Sequence, residues 1–237
     1  MRTCRPTCDP DGARIVNYVF AFDAILDYWP VLVRGIALTA WLIGVGAVGG
    51  IALGLACAWV RCYAPAGLRA PVVAYVELIR NTPFLIQLFF IFFGLPAAGI
   101  QLGEVQAACI AMVANLGAYS AEIIRAGIQA TPRGQYEAGA SLAMSPLQVF
   151  RHVVLRPAMA RIWPALSSQV IIVMLGSAVC SQIAVEELSF AANFIQSRNF
   201  RAFESYFVAT AIYLALALLL RQCLRMLGQR LFGGGAR

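Results

Sequence analysis

Residues 36–60 carry no charged side chain, and this run decides the solvent in which most of the chain must fold. A helix needs about 20 mostly apolar residues to cross the hydrocarbon core of a bilayer. Residues 36–60 meet that requirement, and so does a second uncharged run at 162–185. Three further apolar segments are only lightly interrupted. Residues 71–96 hold Glu77 and Arg80 near their start, 105–124 are charged only at Glu122, and 205–220 are extended by Arg-bearing turns. The limits of the second segment are set by Thr82-Pro83, which breaks or kinks a helix. The expected fold is all-α, a polytopic membrane helical bundle of about five transmembrane helices.

Composition agrees. Only 12% of residues are charged and 61% are hydrophobic, with a mean hydropathy of +0.76. Soluble domains carry roughly 25% charged residues. The length, 237 residues, suits one membrane domain without a second globular one. All 18 basic residues are Arg. A phosphate-binding Walker loop needs a Lys, so no P-loop ATPase is encoded here, and Schiff-base chemistry is excluded likewise. The net charge of +7 is spread among the spans, which fits the positive-inside rule better than nucleic acid.

The Arg balance also orients the chain. Segments 61–70, 125–161 and 221–237 are net positive. Segments 1–33, 97–106 and 186–204 are each net negative by one. The rule therefore predicts the N-terminus outside and the C-terminus in the cytoplasm. Expected divisions are a periplasmic N-terminal segment 1–30, a permease-like membrane domain 31–228 with a cytoplasmic loop at about 127–161, and a cytoplasmic tail 229–237. No secretory signal peptide is expected, because residues 1–30 mix Asp, Arg and Pro. Cys57, Cys109 and Cys180 lie in apolar runs and behave as small hydrophobes. Cys4 and Cys8 form a lone pair without metal spacing, and no cofactor or metal is expected.

Two features of the interior are informative. Gly46, Gly50 and Gly54 recur every four residues, a spacing that suits close helix contact, within the bundle or at a dimer seam. The stretch 127–166 is too polar and Pro-rich for lipid, and connections this long are usually functional. Thr131-Pro132 and Ser145-Pro146 read as helix starts. They predict a small-faced helix over 135–144, suited to a partner's groove or to the lipid surface, and a second helix over 147–155 ended by Pro157. His152, the single His, reads as a surface residue.

Several blocks then carry a family resemblance. YVELIRNTPFLIQLF at 75–89, FGLP at 93–96, AEIIRAGI at 121–128 and GQYEAG at 134–139 together resemble the permease subunit of bacterial ABC importers. The specific branch is the binding-protein-dependent type I family handling polar amino acids and opines, and the match runs from about Trp29 to the C-terminus. The resemblance implies a non-catalytic permease in the bacterial inner membrane, working as a homo- or heterodimer. Its partners would be a cytoplasmic ATP-binding-cassette ATPase dimer, a second permease subunit and a periplasmic substrate-binding protein, with polar amino acids, including basic ones or opines, as cargo. The "EAA" loop would hold the coupling helix, with Gly134, Gln135, Glu137, Ala138, Gly139 and Ala143 as its residues. Glu137 would sit near the start of that helix and complement its dipole.

The chain also departs from the family. Relatives often have Gly where Ala143 stands, and Leu-Pro where this chain has Leu155-Arg156-Pro157. Many carry a Lys-Asp-Thr-Ser-like stretch in the fourth span, where this chain reads Leu175-Gly176-Ser177-Ala178, so no ligand role for those charges carries over. Candidate pathway residues are the uncharged Asn115, Gln169, Ser177, Ser181 and Gln182. Each could equally satisfy a neighbouring helix. Glu77 with Arg80, and Glu122 with Arg125, are i,i+3 pairs expected to neutralise each other as structural or gating charges. An ATP-independent channel or secondary transporter is the alternative. Such transporters usually show inverted repeats with broken helices, which one long basic loop does not suggest. A membrane enzyme lacks any His, Ser or carboxylate constellation in the spans.

Overall fold

The computed structural model describes residues 20–232, and every regular element among them is helical. Lipid offers no hydrogen-bond partner to an open backbone, so helices that close their own bonds are the economical answer to these apolar runs. A short α1 (Asp23–Leu26) precedes α2 (Trp29–Tyr63). Next come α3 (Ala66–Arg80) and α4 (Phe84–Phe89), the latter continued by a π turn, Phe90–Gly94, and α5 (Leu95–Ala97). Then follow α6 (Glu104–Gln129), α7 (Arg133–Ser141) and α8 (Pro146–Gln148). A π turn, Val149–Val154, joins α8 to α9 (Leu155–Gly176), which tightens into a 3₁₀ segment, Ser177–Ile183. The last described elements are α10 (Leu188–Asn199) and α11 (Ala202–Phe232).

Four of these are long and apolar enough to cross a membrane: α2, α6, the continuous stretch Pro146–Ile183, and α11. The pair Ala66–Arg80 and Phe84–Ala97, bent by 115°, brings the count to five if the two are taken together as one broken span. The bend falls at the expected Thr82-Pro83. Pro83 has no N–H to continue the helix and disfavours a helical residue before it. The freed groups are satisfied locally. Thr82 Oγ1 donates to the Leu78 carbonyl at 2.8 Å, and Gln87 Nε2 donates to the carbonyls of Ile79 and Thr82 at 2.7 and 2.9 Å.

The centre of the bundle is the α2–α6 contact. Gly46, Gly50 and Gly54 face α6 within the same chain, which settles the seam question in favour of internal packing. A Cβ on Gly54 would stand 2.5 Å from Ser120 Cβ and 3.0 Å from the Ala121 nitrogen and the Gly117 oxygen. Only Gly lets two backbones approach so closely. Leu42, Leu88, Met112, Leu116 and Val170 form the core on this seam, and α10 packs over the far end of α2.

The structure revises the sequence reading in three places. Pro157 does not end a helix. The second loop helix and the fourth span are one continuous element, because the π turn at Val149–Val154 widens the backbone before Pro157 and so accommodates its missing donor. The loop proper therefore shrinks to residues 130–145 around α7. The segment 186–204 is largely α10, and two of its three carboxylates, Glu187 and Glu204, are fully buried. Cys4 and Cys8 lie outside the described residues. Cys57 and Cys180 are buried and free, as their apolar surroundings implied.

Candidate functional site

A cavity of about 420 Å³ opens where the bent pair, α6 and α9 meet. Its polar lining is Thr82 from the break, Asn115 and Tyr119 from α6, and Gln169 from α9. The break itself forms one wall, through Thr82, Pro83 and Phe84. Asn115 Nδ2 donates to Gln87 Oε1 at 3.0 Å, so the same amide that lines the cavity also holds the splice of the broken helix.

The five candidate pathway residues do not all converge. Asn115 and Gln169 line the cavity. Ser177 is fully buried just beyond it, and its Oγ has no hydrogen-bond partner. Ser181 donates to the Ala178 carbonyl at 2.7 Å and serves its own 3₁₀ turn, while Gln182 is exposed. Thr82, Gln87 and Tyr119 were missed as site residues. The Thr-Pro break was the available signal for the first two, since irregular backbone at membrane depth is tolerated where it lines a cavity.

Beside Tyr119 lies a charge cluster. Glu122 Oε1 accepts from Arg61 of α2, and its Oε2 accepts from Arg125 Nη2 at 2.8 Å. Arg80 reaches the same carboxylate at 3.9 Å and stacks its guanidinium 5.6 Å from the Tyr119 ring centroid. The expected Glu122–Arg125 pair is present. The expected Glu77–Arg80 pair is not, because Arg80 turns across to α6 and Glu77 has no ion pair among the described residues. One carboxylate thus gathers three guanidiniums from α2, α3 and α6. The sequence reading counts Arg61 only as a loop charge, because its meeting with Glu122, 61 residues away, is set by packing between helices.

The loop beyond this cluster is built on α7. Ser145 caps α8 reciprocally with Gln148, as its place before Pro146 implied. Helix α7 ends at Ser141, earlier than expected. Its end is a Schellman motif: Met144 N–H donates to the Gly139 carbonyl and Ala143 N–H to that of Ala140. Ala143 pays for this with φ +53°, a left-handed backbone that Gly adopts freely.

Glu137 sits mid-helix, not in the first turn, so the dipole role assigned to it does not apply. Gly134, Glu137 and Ala138 are exposed, Gln135 is half-buried, and Leu142 is 76% exposed. Gly139 instead faces inward, where a Cβ would stand 2.8 Å from Val149 Cγ2. The loop is fastened to the bundle. The Tyr136 and Tyr63 hydroxyls lie 3.4 Å apart, Tyr63 meets Phe150 edge to face, and Arg161 donates to the Ala130 carbonyl at 3.0 Å.

A fourth constellation lies at the opposite end. Glu187 caps α10 by accepting from Phe190 N–H at 3.0 Å and also accepts from the Tyr213 hydroxyl of α11. It sits outside the candidate spans. Burial outweighs these bonds and pushes its carboxyl up to about 7.

Comparison with known proteins places this geometry. The glutamine transport system permease protein GlnP of Escherichia coli (strain K12) is 33% identical over 214 residues, covering 90% of this chain and 98% of that protein. The L-cystine transport system permease protein TcyB of Bacillus subtilis (strain 168) is 36% identical over 205 residues, covering 86% and 88%. A crystal structure of an amino acid ABC transporter with histidines superposes with a TM-score of 0.81 at 34% identity, over 90% of this chain and all of that one. Residues 50–233 match the binding-protein-dependent transport system inner membrane component family, and the chain belongs to it.

Proposed function

We propose that this chain forms half of the membrane pathway of an ATP-driven importer for a polar amino acid. It carries no catalytic site of its own, and its energy comes from an ATP-binding-cassette ATPase docked on the cytoplasmic loop. The amino-acid class rests on the relatives named for glutamine and cystine transport. The membrane is the bacterial inner membrane, with the C-terminus inside, as the Arg asymmetry favours. A second permease subunit and a periplasmic binding protein complete the assembly.

The observation that supports this most is the construction of α7. It presents Gly134, Glu137, Ala138 and Leu142 outward, while Tyr136, Gly139 and Arg161 tie it to α2, α6 and α9. A helix held this way transmits a push from a partner to the spans as a rigid body. Movement of α6 and of the bent pair would then open or close the cavity around Asn115 and Gln169.

The test uses the permease reconstituted with its ATPase and binding protein. Glu137→Arg and Leu142→Arg should abolish binding-protein-stimulated ATP hydrolysis with the purified chain still folded. Unchanged stimulation in both would overturn the docking assignment. Gly139 is unsuited to this test, because a larger residue there collides with Val149 and perturbs the loop itself.

A further inference from the structure

A groove of about 910 Å³, larger than the cavity at the bend, runs between α9 and α11, and the transport reading gives it no task. Its walls carry Arg221 and Arg225, with Ser168, Gln222 and Gln229 beside them, and no carboxylate among the described residues lines it. Trp163 closes its floor, donating Nε1–H to the Leu224 carbonyl at 2.9 Å and covering Gly228. Ser167 Oγ is buried at its wall without a hydrogen-bond partner. The other direction along the groove is apolar, through Ile171 and Leu218.

Three physical facts define the occupant. Arg221 and Arg225 are one turn apart on the same helix, and like charges at that spacing repel. Neither forms an ion pair among the described residues. An anion between them converts repulsion to attraction, and the planar guanidinium fork fits a phosphate in particular. The depth is that of a leaflet boundary. Helix α11 has 31 residues, or about 46 Å at the α-helical rise, longer than a hydrocarbon core of about 30 Å. Its charge-free run ends at Leu220, so Arg221 marks where the helix leaves the lipid. Polar groups therefore lie at headgroup level, and Ile171 and Leu218 lie at acyl-chain level.

We infer that this groove binds one anionic phospholipid, with its phosphate on Arg221 and Arg225 and an acyl chain along Ile171 and Leu218. Basic pockets between spans on the cytoplasmic side favour such headgroups. A second copy of the chain would have to bring anionic groups of its own to Arg221 and Arg225, and the cross-linking arm below reads that outcome. The inference rests on the membrane orientation proposed above.

The experiment is native mass spectrometry of the permease co-purified with its ATPase, after exchange into nanodiscs of phosphatidylglycerol or phosphatidylcholine. One phosphatidylglycerol per permease chain should survive activation that strips the rest, with at least tenfold preference over phosphatidylcholine. The preference should vanish in R221Q/R225Q and persist in R151Q. The wild-type comparison needs no variant, so a poorly folding double substitution does not shield the inference. Equal retention of both lipids overturns it, as does displacement of the lipid by millimolar inorganic phosphate. Cross-linking of two copies through Ser168→Cys also overturns it, by showing that a second chain covers the groove. Loss of the ATPase from the complex would instead overturn the transport reading, and lipid retention on the permease alone would remain readable.

Discussion

Asn115 on α6 donates its amide across 3.0 Å to Gln87 on α4, and Gln87 in turn donates to the Ile79 and Thr82 carbonyls that precede Pro83 at the break. The cavity, the break and the α6 wall are therefore one hydrogen-bonded unit. Asn115→Leu leaves the Gln87 oxygen unpaired, and interhelical bonds of this kind contribute about 0.6–2 kcal/mol in membranes. Gln87→Leu costs more, because it leaves the Thr82 carbonyl and the Asn115 amide without this partner and the Ile79 carbonyl with only the longer bond from Thr82 Oγ1. Thermal unfolding in detergent should rank the two in that order. Substrate uptake should fall further in Asn115→Leu than the stability loss alone accounts for, since Asn115 also lines the cavity.

The α2–α6 seam makes a contrast between glycines. Gly54→Ala places a methyl 2.5 Å from Ser120 Cβ and 3.0 Å from backbone atoms, which cannot step aside. Overpacking of this kind costs about 1–3 kcal/mol. Gly44 has nothing within 4 Å of a built Cβ, so Gly44→Ala should be neutral or gain up to about 1 kcal/mol of helix propensity. Melting temperatures of the two variants, read side by side, decide this.

How much of this was legible beforehand depends on whether a residue's role is local. The five spans, the Thr82-Pro83 break and the Ser145 cap follow from hydrophobicity, proline geometry and side-chain capping, which act within a few residues. Arg61 meeting Glu122, Arg80 leaving Glu77, and Gly139 facing Val149 are set by packing between helices, which no spacing rule contains. Glu187 and Glu204 show the same limit from the other side. Charge counting treats a carboxylate as wet, yet both are buried, Glu187 at the start of α10 against Tyr213 and Glu204 in the first turn of α11 against the Ala21 N–H and Arg201. Pro157 misled because a local stop signal was overridden by a wider turn just before it.

Ala143 holds a left-handed backbone at the end of α7 with φ +53°. For a residue with a Cβ this conformation costs roughly 1–2 kcal/mol, and Gly escapes it. Ala143→Gly should therefore strengthen the Schellman end by about 1 kcal/mol, and Ala143→Val should weaken it by more. Hydrogen exchange at the Met144 and Ala143 amides reports the change directly, and binding-protein-stimulated ATP hydrolysis should survive the Gly variant.

Glu122 is the single carboxylate among Arg61, Arg80 and Arg125. Glu122→Gln leaves three guanidiniums facing one another in a partly buried site, and breaking buried pairs one-sidedly costs about 3–5 kcal/mol, less here because the side chains are partly wetted. Arg61→Met should be milder, since Glu122 keeps two partners. Repulsion between wetted charges is screened by salt. The Glu122→Gln defect should shrink when unfolding is measured at molar salt, and the Arg61→Met defect should not.

Glu187 supplies the pH dependence. Its folded carboxyl is raised to about 7 from an ordinary 4.5, chiefly by burial. The folded state therefore holds a proton that the unfolded state releases, so stability declines as pH rises from about 4.5 through about 7 and is level above that. Glu187→Gln keeps an acceptor for Phe190 N–H and Tyr213 while removing the titration. The variant should lose the slope between pH 5 and 7, and should match or exceed the wild type in melting temperature at pH 8. A retained slope in the variant would assign the titration elsewhere, and a wild type whose stability climbs across that window would contradict the buried, uncompensated carboxyl.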